Sequence, residues 1–337
     1  MNKTKMTLLL STFNRLQFLN KTLPKFIRSA IINNCRLLII DNGSTDGTNE
    51  YLKKIKKKYN FVTYLKREKN IGAPKSYKHG ISMIKTKYFM ILSDDDYIYG
   101  DYIKKTISIL DNNKNVGLVH HYFYNHHSKK IDFYTKGIQS KKIIFNLSAS
   151  MTGLTFRNKK DLQSNFIITD SKIYPQIDLC MYVANNADIA LLNNAGFLAF
   201  RQMTPEINFV RQNRSIDFGL YERVAIAKKN FNLFDFIEVC DGLFSWHIDI
   251  MQQIQDKKIK KQYCDNILTI FNIYSIHNSF FIHSKYFVLK NFMISILNLF
   301  LFKTLCYLII NFILFIKNFF ILLLSFFIKK ILKYSKM

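Results

Sequence analysis

The segment YFMILSDDDYI, residues 88–98, joins an apolar run directly to three consecutive aspartates. The run YFMIL has the length and composition of a buried β-strand. Asp94, Asp95 and Asp96 follow it after a single serine, in a chain whose formal net charge is +26. Three adjacent carboxylates repel one another, so their charge needs compensation. The segment therefore predicts a buried strand that ends in a site for a cation or a ligand.

The residues before this segment alternate between strand-like and helix-like patterns. Apolar residues at helical spacing begin after Asn14, which is the predicted N-cap of the first helix, and Pro24 inside that helix predicts a kink. The predicted strands are MTLLLS (6–11), RLLII (36–40), FVTYL (61–65), YFMIL (88–92) and VGLVHHYF (116–123). This alternation predicts an α/β fold on a parallel sheet, in which ligands bind beyond the carboxyl ends of the strands.

A second acidic turn, DNGSTDGT (41–48), follows the strand at 36–40. Carboxyl ends of parallel strands share one edge of the sheet, so we expect this turn beside the aspartate run. Mg²⁺ or Mn²⁺ commonly lies between one or two carboxylates and a substrate diphosphate. The alternative is a solvated turn or helix start, where aspartate is favoured without any ligand. Two acidic turns on one edge favour the metal and ligand site.

Four segments together resemble the family 2 glycosyltransferases in order and approximate spacing. They are LLLSTFNR (8–15), LLIIDNGSTDGTNEYL (37–52), NIGAPKSYKHGI (70–81) and KYFMILSDDDYI (87–98). The resemblance covers roughly residues 6–200 and is greatest to the branch that builds bacterial cell-surface polysaccharide, including abequosyltransferase-like enzymes. It implies the GT-A fold, a Rossmann-like nucleotide-binding sheet with an acceptor-binding half.

The resemblance also implies an activity. Such an enzyme inverts the configuration of the sugar that it transfers from a nucleotide-diphosphate donor. The implied acceptor is a lipid-linked or surface glycan of capsule, O-antigen or lipooligosaccharide biosynthesis. The implied cofactor is Mn²⁺ or Mg²⁺.

The resemblance assigns roles to particular residues. Asp41 would hydrogen-bond the nucleotide base, and Asp96 would bind the metal. Asp94 would lie near the ribose and act as a second metal ligand, while Asp95 is a spare acid that could exchange roles with either. The other residues implied at the nucleotide-sugar site are Ser11, Thr12, Asn14, Asn70, Gly72 and Lys78.

The catalytic base has two candidates. Inversion needs a carboxylate that takes the proton from the acceptor hydroxyl. Family members supply it from an ED-x-D helix start after a G-x-x-x-R stretch. GLTFR (153–157) matches the second pattern, whereas PQID (175–178) replaces the first. Asp178 is retained and is favoured over Asp170, although Asp178 as a helix cap is the alternative.

Two further departures from the family affect the donor site. Tyr77 and Lys78 stand where the family has Arg and Asn, and Ser93 stands where many members have the first acid of the metal motif.

The last fifty residues differ in composition from the rest. From Phe287 the chain is rich in Leu, Ile and Phe, and Lys290, Lys303 and Lys317 interrupt its apolar runs. On a helix, one sector would hold Lys303, Thr304, Tyr307, Asn311, Lys317, Asn318, Ser325 and Lys329. Such a polar stripe predicts membrane-associated helices that lie at the interface, with lysines against anionic lipids of the inner membrane. A transmembrane hairpin and a buried soluble helix are the alternatives.

These patterns predict four segments. Residues 1–122 are the nucleotide-sugar-binding half, 123–220 the acceptor-binding half, 221–286 a helical extension and 287–337 the membrane-associated helices.

Composition restricts the remaining classes. A pI near 9.7 implies an anionic partner, but no nucleic-acid reader motif is present, so nucleic acid is not an expected partner. Five dispersed cysteines predict reduced thiols and no zinc site. The amino-terminal residues lack a signal-peptide pattern, which predicts the cytoplasmic face of the inner membrane. The histidines of HHYFYNHH (120–127) are predicted to be exposed or to line an acceptor groove.

Two other functions stay open at this point. A nucleotidyltransferase would carry a glycine-rich phosphate loop after the first strand, and STFNRLQF (11–18) contains no glycine. A non-catalytic membrane scaffold on a decayed transferase fold is the second alternative, suggested by the altered base region.

Overall fold

The computed structural model describes residues 4–98, 101–122, 131–162, 164, 174–193, 197–199, 220–232, 235–236, 238–240, 242–243 and 261. The chain divides into two units, Met1–Cys240 and Asp241–Met337. Nearly all described residues belong to the first unit, and the fold below is the fold of that unit.

An eight-stranded sheet forms the centre of the first unit. The strands in the described residues are β1 Met6–Thr12, β2 Arg36–Asp41, β3 Val62–Lys66, β4 Tyr88–Leu92, β5 Asp96–Ile98, β6 Val116–His121, β7 Ile131–Tyr134, β8 Thr155–Arg157, β9 Asp188–Leu192 and β10 Phe197–Ala199. The sheet has the order β3-β2-β1-β4-β8-β6-β9-β7, and β10 pairs with β5 in a separate ribbon.

Helices connect most of these strands. They are α1 Leu16–Ile32, α2 Thr48–Lys58, α3 Ala73–Ser82, α4 Tyr102–Asn112, α5 Ile138–Leu147, α6 Pro175–Asn186 and α7 Leu220–Asn230. Helix α1 continues through Pro24. Helix α3 packs closely on the sheet at Gly80, where an added Cβ would lie 2.5 Å from Leu9 Cδ1.

The sheet is mixed, so the prediction of a parallel sheet is correct for only part of it. Strand β1 pairs in parallel with β2 and β4, and β2 with β3. Strand β8 lies antiparallel between β4 and β6, and β7 lies antiparallel beside β9. The direction of a three-residue strand such as β8 depends on the edge of the sheet at which the preceding segment ends. The pattern of apolar residues does not indicate which edge that is.

The core lies on both faces of the central strands. Every residue of β4 is buried, as are Met6–Leu10 of β1 and Leu37–Asp41 of β2. Strands covered on both faces are expected to be continuously apolar rather than alternating, as YFMIL and TLLL are. The apolar face predicted for the first helix is confirmed, because Leu19, Leu23, Phe26 and Ala30 of α1 are buried.

The predicted N-cap of α1 is wrong. Arg15 occupies the cap position, and Asn14 has a positive φ of 52°. The Asn14 side chain accepts a hydrogen bond from the Thr45 amide instead of from the helix. The Leu16 amide donates to Asp46, so an acid of the second turn caps the first helix.

No helix within the described ranges is long and apolar enough to cross a membrane. The helices predicted for residues 287–337 lie outside the described residues. The same holds for most of the helical extension predicted for 221–286, of which α7 confirms the first turns.

Candidate functional site

The two acidic turns lie at the same edge of the sheet. Thr12 at the end of β1 is in register with Asp41 at the end of β2, and Leu10 of β1 is in register with Leu92 of β4. The aspartate run begins two residues after Leu92. The carboxyl ends of three parallel strands therefore bring Asp41, Thr12 and Asp94 to one rim, as the sequence predicts.

Arg15 compensates the charge of the first two aspartates. Its Nε donates to Asp94 Oδ1 at 3.2 Å, and its Nη2 donates to Asp95 Oδ2 at 2.9 Å. Thr12 Oγ1 donates to the other Asp94 oxygen at 2.7 Å, and Ser93 Oγ donates to the other Asp95 oxygen. All four carboxylate oxygens of Asp94 and Asp95 thus accept hydrogen bonds from residues of this chain.

Asp96 has a different environment. Its Oδ2 accepts a hydrogen bond from Thr152 Oγ1 at 2.7 Å, and the same hydroxyl accepts from the Ser93 amide at 2.9 Å. Thr152 lies in the turn before β8, so the placement of this antiparallel strand beside β4 brings a hydroxyl to the last aspartate of the run. Ser93 replaces an acid of the family pattern. Its amide donates to Thr152 and its hydroxyl donates to Asp95, so its backbone and its side chain both support the run.

Burial changes the acidity of the run. Loss of solvent raises the pKa of the Asp94 carboxyl to about 6. The Arg15 guanidinium opposes that rise, while the neighbouring Asp95 carboxylate adds to it. The ordinary pKa of aspartate is near 4, so burial makes Asp94 a weaker acid than a solvated aspartate.

Asp41 is fully buried and stabilises the turn that it begins. One carboxylate oxygen accepts from the Ser44 amide at 2.9 Å, and the other lies 3.3 Å from the Tyr64 hydroxyl. Gly43 in this turn has a φ of +87°, and an added Cβ would lie 2.8 Å from the Lys69 carbonyl carbon. The turn is therefore pressed against the loop that follows β3.

Asn14 and Asp46 join the first two loops of this rim. The Asn14 amide donates to Ser44 Oγ at 2.8 Å, and Asn14 Oδ1 accepts from the Thr45 amide at 2.8 Å. Asp46 accepts from the Leu16 amide and from Thr48, at the starts of α1 and α2. Asn14 is exposed beside the ends of β1 and β2, where a donor contact is possible.

Asn70 and Gly72 lie in a third loop attached to the same rim. Asn42 Nδ2 donates to Asn70 Oδ1 at 2.6 Å, and the Gly72 amide donates to the same oxygen at 2.8 Å. Gly72 has a φ of +86°, which favours glycine at the start of α3. Asn42 was missed by the sequence analysis, although it directly follows Asp41.

Tyr77 occupies the position at which the family carries arginine. Its hydroxyl donates to the Leu92 carbonyl at 2.8 Å, and the side chain is buried. Burial and the nearby Asp94 carboxylate raise the pKa of the phenol far above its ordinary value, so Tyr77 is a neutral donor. Lys78, the next residue, is half-buried on α3, and Ser11 is half-buried on β1.

The candidate bases differ in what the structure describes. Asp178 lies in the first turn of α6 and is half-buried. Gln176, which replaces an acid of the family pattern, is buried and donates to the Ser148 carbonyl at 3.2 Å, so it supports the helix start. Asp170 lies outside the described residues.

The histidine prediction is wrong for His120 and His121. Both side chains are buried in β6, with ring centroids 4.4 Å apart, because the predicted strand is central in the sheet. Burial lowers the pKa of both, to about 4 for His121. His126 and His127 lie outside the described residues.

The fit of the run to a divalent metal depends on the number of ligands that the protein must supply. In the described part of the chain, no group of three or more His, Cys, Asp or Glu side chains converges on a metal-sized space. Mg²⁺ and Mn²⁺ need only one or two protein carboxylates where a diphosphate and waters complete the shell. Asp96 supplies one such carboxylate and accepts a hydrogen bond from Thr152, whereas Asp94 is also paired with the Arg15 cation. A donor-bound metal therefore fits this rim through Asp96.

Comparison with known proteins places this rim in a family. Residues 7–171 match the description "Glycosyl transferase family 2". The segment 7–171 is thus similar to glycosyl transferase family 2. The match includes the aspartate run, Asp41 and the loops between them, and it favours the glycosyltransferase over the nucleotidyltransferase alternative.

Relatives of this glycosyltransferase domain resemble it over short segments. An uncharacterized glycosyltransferase of Methanocaldococcus jannaschii is 21% identical over 37% of this chain and 43% of its own length. One from Mycoplasma genitalium is 30% identical over 31% of this chain and 35% of its own length. The abequosyltransferase RfbV of Salmonella typhimurium is 28% identical over 32% of this chain and 33% of its own length. The chain thus aligns with less than half of each relative.

Two solved structures share the fold of this chain. S. aureus TarS has a TM-score of 0.52 and 15% identity, over 79% of this chain and 49% of its own. The mannosyltransferase PcManGT of Pyrobaculum calidifontis, solved with GDP-Man and Mn²⁺, has a TM-score of 0.53 and 11% identity, over 89% of this chain and 88% of its own. The expected GT-A-like α/β architecture is confirmed by these likenesses.

Proposed function

We propose that this protein is an inverting, metal-dependent glycosyltransferase that uses a nucleotide-diphosphate sugar. The observation that carries the proposal is the rim where Thr12, Asp41 and the run Asp94–Asp96 meet, inside the family 2 segment. The acceptor we propose is a lipid-linked or surface glycan of bacterial polysaccharide biosynthesis, a class consistent with the likeness to an abequosyltransferase.

Different residues of the rim contact different parts of the donor in this proposal. The turn at Asp41 receives the base, since it is rigidly braced by Ser44 and Tyr64. Thr12 and Asp94 receive the ribose. Asp96 holds Mn²⁺ or Mg²⁺, which when bound neutralises negative charge on the departing diphosphate. Residues fixed in advance in this way lower the barrier because they need not reorganise during transfer.

Asp178 is the base in this proposal. It is half-buried at the start of α6, so it retains access to an acceptor hydroxyl. Asp178→Asn should remove transfer while donor binding remains, because an amide cannot accept the proton. If Asp170→Asn abolishes transfer and Asp178→Asn does not, Asp170 is the base instead.

Metal use is tested by Asp96→Asn. We expect transfer to fall at least ~100-fold with the fold intact, because one metal ligand is lost without a change in side-chain size. Asp101→Asn is the matched control: it makes the same change on a side chain that is 60% exposed and paired with Lys105. GDP-Man and UDP-GlcNAc are suitable first donors, with release of nucleoside diphosphate as the measurement. Activity that resists chelation, or a fully active Asp96→Asn enzyme, would contradict the metal role.

The location we propose is the cytoplasmic face of the inner membrane, with residues 287–337 contacting anionic lipids. The apolar and lysine-rich composition of that segment supports this location.

A further inference from the structure

Arg15 is a cation of the rim to which the proposed function gives no role. It follows the STFN segment at the end of β1 and stands at the start of α1. Its guanidinium contacts Asp94 Oδ1 and Asp95 Oδ2 through two different nitrogens. The guanidinium carbon also lies 4.5 Å from the centroid of the Phe18 ring. Only 23% of the side chain is exposed, so its position is well defined.

This geometry makes Arg15 a competitor of any metal at the run. A guanidinium is permanently charged, and its planar fork suits two carboxylates at once. A divalent cation seeks the same oxygens. All four oxygens of Asp94 and Asp95 accept hydrogen bonds, two of them from Arg15. A metal that approaches the run therefore meets the charge of Arg15 and competes with it for Asp94 and Asp95. Like charges this close disfavour each other.

A nucleoside diphosphate changes that balance. It brings negative phosphate oxygens, which attract both the metal and a guanidinium. Building on the proposed function, we propose that Arg15 is an internal counter-ion of the acidic run. As a positioning residue, it holds Asp94 and Asp95 together. It thereby keeps the affinity of the run for a metal low until the nucleoside diphosphate is bound. Metal and nucleotide then bind as coupled partners, each raising the affinity of the other by the same factor.

The test measures Mn²⁺ binding directly, independent of turnover. Full-length protein is titrated with Mn²⁺ alone and with saturating UDP or GDP, with free Mn²⁺ followed by electron paramagnetic resonance. Arg15→Gln should bind Mn²⁺ alone about tenfold more tightly than wild type, because the competing charge is gone. Arg15→Lys keeps the charge without the fork and should stay within about threefold of wild type.

The control is Arg28→Gln, which removes the same charge from an exposed position of α1. Thirteen residues of helix place it ~20 Å from Arg15. It should bind Mn²⁺ as wild type does. A merely structural role for Arg15 would lower Mn²⁺ affinity in Arg15→Gln or leave it unchanged, and either result overturns the inference.

If Arg15→Gln does not fold, a measurement on the wild type alone still tests the inference. Wild type must bind Mn²⁺ at least about tenfold more tightly with UDP or GDP than without either. Equal Mn²⁺ affinity in both conditions overturns the inference. Release of nucleoside diphosphate from GDP-Man or UDP-GlcNAc tests the proposed function separately. If release occurs but the Mn²⁺ shifts do not, only the inference fails; if the shifts occur without release from any donor, only the proposed function fails.

Discussion

At the scale of single residues, the aspartate run is stable in this basic chain because every carboxylate interacts with a side chain from another segment. Arg15 forms ion pairs with Asp94 and Asp95, and Thr152 donates a hydrogen bond to Asp96. The sequence led us to expect a divalent metal as the compensation, but the protein already supplies a cation and two hydroxyls from distant segments. In the proposed function, a metal serves the chemistry of the donor rather than the stability of the run.

Thr152 provides a test at this scale. Thr152→Val should destabilise the protein by about 1–3 kcal/mol, since the Ser93 amide loses its acceptor and Asp96 loses a donor. The same change should raise the Mn²⁺ concentration needed for half-maximal transfer, because Asp96 is no longer oriented. Thr152→Ser keeps the hydroxyl and is the control. Equal Mn²⁺ requirements for the Val and Ser variants would show that Thr152 does not orient Asp96.

At the scale of elements, the site is a set of loops pressed together at the carboxyl ends of β1, β2, β3 and β4. Asn14, Asp46 and Asn42 carry hydrogen bonds from one loop to the next. The elements themselves were predictable from their apolar patterns, whereas these cross-loop contacts depend on the sheet order.

Gly43 tests how closely the loops must approach. Gly43→Ala should lower stability by more than about 1 kcal/mol, because its φ of +87° disfavours a side chain and the new Cβ would meet the Lys69 backbone. Nucleotide affinity should fall with it. Gly137→Ala is the matched control: its φ is +129°, but no atom lies within 4 Å of the added Cβ. If both variants melt at the same temperature, the contact with Lys69 is unimportant.

A buried histidine of strand β6 should make the free energy of unfolding depend on pH. His121 is buried and its pKa is lowered to about 4, against about 6.5 in an unfolded chain. Between these values the unfolded chain binds a proton that the folded protein does not, so His121 makes stability fall as pH falls from 6.5 toward 4, by up to ~1.4 kcal/mol per pH unit. His121→Gln should flatten this part of the profile of unfolding free energy against pH. The wild-type profile over the same pH range is the reference.

At the scale of the whole molecule, the residues of the donor rim all lie within Met1–Cys240, the first of the two units. The strands that position them end at Leu92, and β8 adds support from Thr152.

Removal of residues 287–337 tests the location. The truncated protein should leave the membrane fraction and still bind a nucleotide sugar, because the tail holds the apolar surface and lysines expected to contact lipid. Full-length protein in high salt is the control, and should stay largely bound because apolar contact is not screened. A truncated form that remains in the membrane pellet places the anchor elsewhere, and one that aggregates without binding donor makes the tail part of the core.

The sequence by itself determined the repeating strands and helices of the first hundred residues, the two acidic turns and their common edge. These follow from local rules, because apolar spacing reports burial and parallel strands end together. It did not determine that β8 is antiparallel, that His120 and His121 are buried, or that Arg15 and Thr152 hold the aspartates. Arg15 and Thr152 are roughly 80 and 60 residues from the run, and such contacts depend on which strands become neighbours. Only the tertiary structure decided them, because side chains far apart in sequence acquire an interaction energy only when the sheet order places them within a few ångströms.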